Sequence, residues 1–177
     1  MPDDRPDAVH TGFAGRFLRI DVEDWGPGRY EVVRRVTHAP DAPGAVGVLP
    51  VTAAGEAVLV RQFRQPVRRA ILEIPAGLMD VEGEAPEVCA VRELFEETGY
   101  RPGGELVWLG TFLTTPGISD ERIALYRVDT AAEPEGVPED GIEVVRMPLA
   151  EARVAVSDGR IVDAKTAVAV LLTASSP

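Results

Sequence analysis

One cysteine (Cys89), one lysine (Lys165) and two histidines (His10 and His38) are all that 177 residues offer of three chemically versatile residue types. A lone cysteine cannot form an internal disulfide, so the chain is expected either to occupy a reducing compartment or to be indifferent to redox state. The two histidines lie far apart without metal-ligand spacing and read as satisfied or solvent-facing. Basic residues are also scarce, with 18 Lys and Arg against 29 Asp and Glu and a formal charge of −11. That balance argues against gripping a nucleic-acid backbone, which needs a basic face, and disfavours an anionic membrane surface. Seventeen of the 18 basic residues are arginine, which reads as a composition bias. No apolar run approaches the roughly 20 residues of a membrane span. The first residues are rich in Pro and Asp with no apolar stretch behind them, unlike a signal peptide, so a cytoplasmic location is expected. Ser119 has no recognisable base and acid partners, which excludes a serine-hydrolase reading.

At about 100–200 residues per domain the length suits one domain, large enough to bury a core without disulfide or metal staples. Residues 1–12 are expected to be disordered, with a single domain over 13–177. Strand-like patterns over 13–20 and 29–36 flank a Gly26-Pro27-Gly28 turn, giving an N-terminal antiparallel strand pair. Short apolar runs follow at 45–51, 57–63 and 70–74, the last ended by Pro75-Ala76-Gly77. Residues 84–98 predict a helix with Val88, Val91, Leu94 and Phe95 on its apolar face and Gly99 as its stop. Further strands are expected at 106–113, 122–128 and 141–147, an acidic loop at 131–140, and helices at 148–156 and after Asp163, a cap candidate. The fold class is α/β.

The sharpest feature is Arg92-Glu93-Leu94-Phe95-Glu96-Glu97-Thr98-Gly99. Glu93, Glu96 and Glu97 stand at i, i+3 and i+4 and cluster on one helix surface. Between Gly77 and Gly99 seven acids and a single base, Arg92, leave a local charge of −6, more than half of the chain's −11. Like charges at this spacing destabilise a helix unless something offsets them. A hard divalent cation does so, because Mg²⁺ prefers oxygen ligands and bridges carboxylates to substrate phosphates. A solvated acidic face is the alternative for three glutamates taken alone; the preceding strand, the Pro-Ala-Gly turn and the arginine inside the cluster favour a site.

Residues 77–100 resemble the Nudix box, G-x5-E-x7-R-E-U-x-E-E-x-G-U, with U an apolar residue. Glu84, Arg92, Glu93, Leu94, Glu96, Glu97 and Gly99 match, and Tyr100 fills the last position loosely. Six residues rather than five separate Gly77 from Glu84. The resemblance implies an α/β/α Nudix sandwich with a mixed sheet and a hydrolase acting on phosphoric anhydrides. It implies that Glu93 and Glu97 hold metal, that Glu96 shares a metal or its water, and that the Ala76 carbonyl supplies a further oxygen. The implied cofactor is Mg²⁺, with Mn²⁺ as the alternative, in two or more ions. Arg92 and Glu84 are implied to pair and fix the loop on the helix.

Two further stretches are similar to the ADP-ribose and nucleoside-diphosphate-sugar pyrophosphatases. One is Val60-Arg61-Gln62-Phe63-Arg64-Gln65-Pro66 with Leu72-Glu73-Ile74-Pro75-Ala76-Gly77. The other is Pro116-Gly117-Ile118-Ser119-Asp120-Glu121, with Pro116 lying 16 residues after Tyr100. The implied substrate is ADP-ribose or a related nucleoside diphosphate sugar; a dinucleotide, or binding without turnover, is the alternative. Arg61 suits bidentate contact with phosphate, whereas Arg64 reads as either a second phosphate contact or a solvent-facing charge. Glu73 reads either as a partner for a ribose hydroxyl or as a structural partner for an arginine. Trp25, Arg29 and Tyr30 are candidates for an adenine-stacking surface, acting across a homodimer built on the strands of 13–40, or else simply packing; 41–177 is the expected catalytic core. Glu121 is implied as the catalytic base, with Glu96 or another box glutamate as the alternative.

Overall fold

A computed structural model describes residues 5–36, 42–130 and 133–173. His38 lies outside the described residues. Three antiparallel strands come first: β1 (Ala8–Ala14), β2 (Leu18–Trp25) and β3 (Gly28–Arg35), in the order β1-β2-β3. Residues 8–12, expected to be disordered, instead form most of β1. The single strand expected over 13–20 is broken in two, because Gly15 turns the chain and its N–H donates to the Leu18 carbonyl at 2.8 Å. The expected strand pair is therefore a three-stranded sheet. Its partly covered face is acidic: Asp21 and Glu23, at i and i+2 on β2, are 1% and 5% exposed.

The second sheet is built from β4 (Ala45–Val51), β5 (Glu56–Arg64), β6 (Arg69–Glu73), β7 (Ala76–Leu78), β8 (Val107–Leu113), β9 (Arg122–Asp129) and β10 (Glu143–Pro148). Its main path runs β10-β5-β4-β9-β8, with β6 on β5 and β7 on β4. Only β4 and β9 pair in parallel, which makes the sheet mixed. β7 was expected to be only a turn. Pro75 ends β6, but Val46 and Gly77 then pair and draw three residues into a strand.

Period-2 alternation puts successive side chains on opposite faces, and the central strands are apolar on both. Val46, Val48, Val58, Ala124, Tyr126 and Val128 pack under α1 (Pro86–Thr98). On the other face Leu49, Leu59, Leu125 and Ile123 pack with α2 (Leu149–Ser157) and α3 (Ala164–Thr173) through Ala152, Ala155, Ala169 and Val170. The result is a helix–sheet–helix sandwich. Each fully buried Val or Leu contributes about 1.5–3 kcal/mol, so these two faces hold the fold.

α1 buries Cys89, Ala90, Leu94, Glu97 and Thr98. The apolar face expected at Val88, Val91, Leu94 and Phe95 is thus rotated: Val88 is 58% exposed and only Leu94 of the four is fully covered. Small residues at 89 and 90 let the helix approach the sheet closely, and that rotation carries Glu97 inward. Pro86 opens the helix at its first turn, where the missing N–H costs nothing. Gly99 closes it at φ +73°, and a Cβ there would lie 2.3 Å from the Gly136 carbonyl oxygen. Both the left-handed conformation and the close approach require glycine. Asp163 caps α3 by accepting from the Thr166 N–H at 3.0 Å.

Candidate active site

Arg92 organises the carboxylate cluster of α1. Its Nε and Nη2 donate to the two oxygens of Glu84 at 3.0 Å each, in fork-to-fork geometry. Its Nη1 donates to Glu93 at 2.6 Å and to Glu96 at 3.0 Å. One guanidinium thus serves three glutamates; they stabilise its charged form, and its hydrogen bonds hold Glu84 below the usual carboxylate range. The extra residue between Gly77 and Glu84 is absorbed in a turn: Gly83 takes φ +77° and the Glu84 N–H donates to the Val81 carbonyl.

Glu97 points the other way, into the sheet. The Ala76 N–H donates to its Oε2 at 3.0 Å. Gly44 and Met79, and Val48 and Pro75, are hydrogen-bonded pairs of the β4–β7 ladder. Ala76 therefore falls at a non-hydrogen-bonded position, where N–H and C=O both point away from β4. Burial pushes the Glu97 carboxyl up to about 7; the Ala76 N–H opposes this and neighbouring Glu93 adds to it. Burial also raises Glu93, against the pull of Arg92. Gly77 is the cradle for Glu93: an added Cβ would lie 1.9 Å from the Glu93 Cδ.

Among the described residues no three acidic, histidine or cysteine side chains already converge as a metal cage. Glu93 and Glu96 are turned to Arg92, and Glu97 to a backbone N–H. The donor set nonetheless fits a hard divalent cation: carboxylates and a carbonyl, all oxygen, with two of the carboxyls under-stabilised as anions by burial. Glu93, Glu96, Glu97 and the Ala76 carbonyl are the residues able to hold it.

Ala76 and Gly77 also line a cleft of about 700 Å³. Its walls carry Arg64, Glu73 and Lys165 on one side and Arg35 and Glu121 on another. Glu73 is 1% exposed. Arg64 grips it bidentately at 2.6 and 2.7 Å, and Lys165 Nζ donates at 2.5 Å. Burial alone would raise Glu73, but the two cations outweigh it and hold the carboxyl below its ordinary range. Of the two sequence readings of Glu73, the structure displays the pairing with arginine. The Glu121 carboxylate receives Arg35 Nε and, at 3.0 Å, the Thr114 hydroxyl.

The structure does not bring every candidate to this cleft. Arg61 stands on the opposite face of β5 from Arg64, half-exposed, with Glu143 of β10 as its partner at 3.4 Å. It does not line the cleft; Arg64 does. Trp25, Arg29 and Tyr30 sit at the far end of the β2–β3 hairpin, where Arg29 pairs with Asp24 at 2.8 Å, Trp25 Nε1 donates to Glu23 and Tyr30 is 58% exposed. Within one chain none of the three reaches the cleft. Arg35 and Lys165 escaped the sequence reading. The signal for Lys165 was present: the chain's sole lysine follows Asp163, a helix cap, and so is fixed at a helix N-terminus.

The NUDIX domain profile matches residues 41–167. The chain is 38% identical over 164 residues to the ADP-ribose pyrophosphatase of Bacillus subtilis, covering 89% of this chain and 85% of that protein. It is equally 38% identical over 164 residues, with the same coverage, to the methanol dehydrogenase activator of Bacillus methanolicus. Among solved structures it resembles an ADP compounds hydrolase with a TM-score of 0.78 at 23% identity, over 97% of this chain and 93% of that one. That last likeness speaks for the fold.

Proposed function

The chain belongs to the NUDIX family of pyrophosphatase hydrolases, and on that premise we propose that it hydrolyses the diphosphate of ADP-ribose, or of a related nucleoside diphosphate sugar. The products in the first case are AMP and ribose 5-phosphate. One observation carries the reading: the oxygen-rich end of α1 meets, at Ala76–Gly77, a cleft whose other walls present arginine and lysine. Carboxylates alone would repel a diphosphate; cations alone would bind it without cutting it.

Bound by Glu93, Glu96, Glu97 and the Ala76 carbonyl, Mg²⁺ or Mn²⁺ supplies Lewis-acid polarisation of the phosphoryl oxygens. The chain's own groups do the rest. Arg92 neutralises the outer glutamates and keeps α1 intact. Arg64 and Lys165, held in place by Glu73, are the cations on this wall of the cleft. Glu121 accepts a proton from the attacking water as its oxygen bonds to phosphorus and the bridging P–O bond breaks. Arg29, Trp25 and Tyr30 reach a base only from a second subunit, so the reading includes a homodimer through the N-terminal sheet, and Arg61 has a substrate role only in such an assembly. We take 41–177 as the catalytic core and the cytoplasm as the compartment; no helix among the described residues is long and apolar enough to cross a membrane.

Ranking ADP-ribose, GDP-mannose and other nucleoside diphosphate sugars by kcat/KM tests the substrate. ADP-ribose is expected to rank first. A dinucleotide or another sugar nucleotide ranking far above it replaces the substrate, and tight binding of ADP-ribose without turnover replaces the enzyme with a binding module.

A further inference from the structure

The segment between β8 and β9, residues 114–121, carries Glu121 but has no core of its own. Residues 114–118 are exposed. Its ends are closed by the Thr114 N–H, which donates to the Glu121 carbonyl at 3.1 Å, and β3 fixes the part between them. The Val33 N–H donates to the Ile118 carbonyl at 2.7 Å, and Val33 and Ser119 form a parallel bridge. Two consecutive ion pairs follow, Arg34 with Asp120 and Arg35 with Glu121.

These pairs face opposite ways. Side chains alternate along extended backbone, so Arg35 and Glu121 both line the cleft while Arg34 and Asp120 turn toward the three-stranded sheet. There Arg34 meets the buried acids of β2: its Nε lies 3.3 Å from Asp21 Oδ2 and its Nη2 donates to Glu23 at 2.6 Å. Three carboxylates share one guanidinium, each through a different nitrogen. Buried charges are tolerated only when paired; Arg19 also reaches Asp21 at 2.8 Å, and Arg34 is the cation that serves both acids. With two carboxylates satisfied, its remaining Nη1 is committed to the loop.

Resting on the reading of Glu121 as the base, we propose that Arg34 is a positioning residue for hydrolysis: it mounts the loop on β2 through Asp120 and thereby sets where Glu121 stands on the cleft wall. A base displaced by an ångström is costly, since misplacement of that size lowers rates by about 10²-fold. The device gives the N-terminal sheet a second tie to the cleft, beside the direct pairing of Arg35 with Glu121.

Asp120→Asn in the full-length protein is the cleanest test, because Arg34 keeps its pairs with Asp21 and Glu23 and the sheet stays folded. It is expected to lower kcat about 10²-fold while KM for ADP-ribose stays within about threefold. Hydrogen exchange at the Val33 amide should quicken by about tenfold or more, with the amides of α1 unchanged. Arg34→Lys should retain more kcat than Arg34→Gln. Wild-type kcat in Asp120→Asn, or a fall in kcat with unaltered Val33 exchange, overturns the proposal. Glu121→Gln run in parallel separates the two readings. If it stays within about threefold of wild type, short of the 10²–10⁴ of a general base, the base assignment has failed, whereas docking is still read from Val33 exchange.

Discussion

Glu97→Gln exposes the electrostatic cost of the carboxylate cluster. In the metal-free protein burial lifts this carboxyl from 4.5 to about 7. At 1.36 kcal/mol per pH unit that corresponds to about 3 kcal/mol. The folded state holds the proton more tightly than the unfolded chain. Its advantage is therefore complete below pH 4.5 and is lost as pH rises from there through 7. With a chelator present, wild type is expected to be less stable at pH 8 than at pH 5 through this group. Glutamine keeps an oxygen for the Ala76 N–H and carries no proton to lose. The variant should match wild type near pH 5 and exceed it at pH 8 by up to about 3 kcal/mol, or roughly 6–12 °C in Tm for a chain this long. Added Mg²⁺ at a hundredfold over its Kd should stabilise wild type by about 2.7 kcal/mol and the variant far less. Thermal melts at both pH values, with chelator and with Mg²⁺, read all four corners. A wild type and variant that differ equally at both pH values and gain equally from Mg²⁺ would refute the reasoning.

Two other substitutions and one measurement on the unaltered protein have definite outcomes. Gly77→Ala places a methyl within the space of the Glu93 carboxyl; Mg²⁺ stabilisation in thermal melts should shrink while the chelated protein remains folded. Glu73→Gln removes the buried partner of Arg64 and Lys165, the latter keeping Asp163 at 3.1 Å, and should cost about 1.5–3 kcal/mol in urea unfolding, against little change if the pairs were surface decoration. Light scattering should report twice the 19.0 kDa of one chain; a fully active monomer would remove Trp25, Arg29 and Tyr30 from the site.

The carboxylate helix was legible because its pattern is local. Glu84, Arg92, Glu93, Glu96 and Glu97 lie within one helix and its approach; Arg92 gathers Glu84, Glu93 and Glu96, while Glu97 turns to the Ala76 N–H. Its rotation was not, because the sequence offers Val88 and Val91 as core candidates and only packing reveals that small Cys89 and Ala90 allow the closer approach. Choosing between Arg61 and Arg64 needed strand parity: Val60 pairs with Glu73, so even-numbered β5 residues share the face of Glu73 and odd ones oppose it. The cleft's other walls come from residues far apart in the chain. Arg35 meets Glu121 across 86 positions and Lys165 meets Glu73 across 92, and no local pattern announces such pairs. β1 was missed because Gly15 hides a turn inside a run that alternates like one strand.

The most direct measurement is chromatographic. Purified protein is incubated with ADP-ribose and Mg²⁺, with a matched sample in excess chelator, and the nucleotides are separated over time. AMP and ribose 5-phosphate should accumulate in equal amounts with Mg²⁺, and the chelated sample should stay unreacted. Intact ADP-ribose in both samples, with no other nucleoside diphosphate sugar cleaved under the same conditions, would contradict the assignment of this cleft as a pyrophosphatase site.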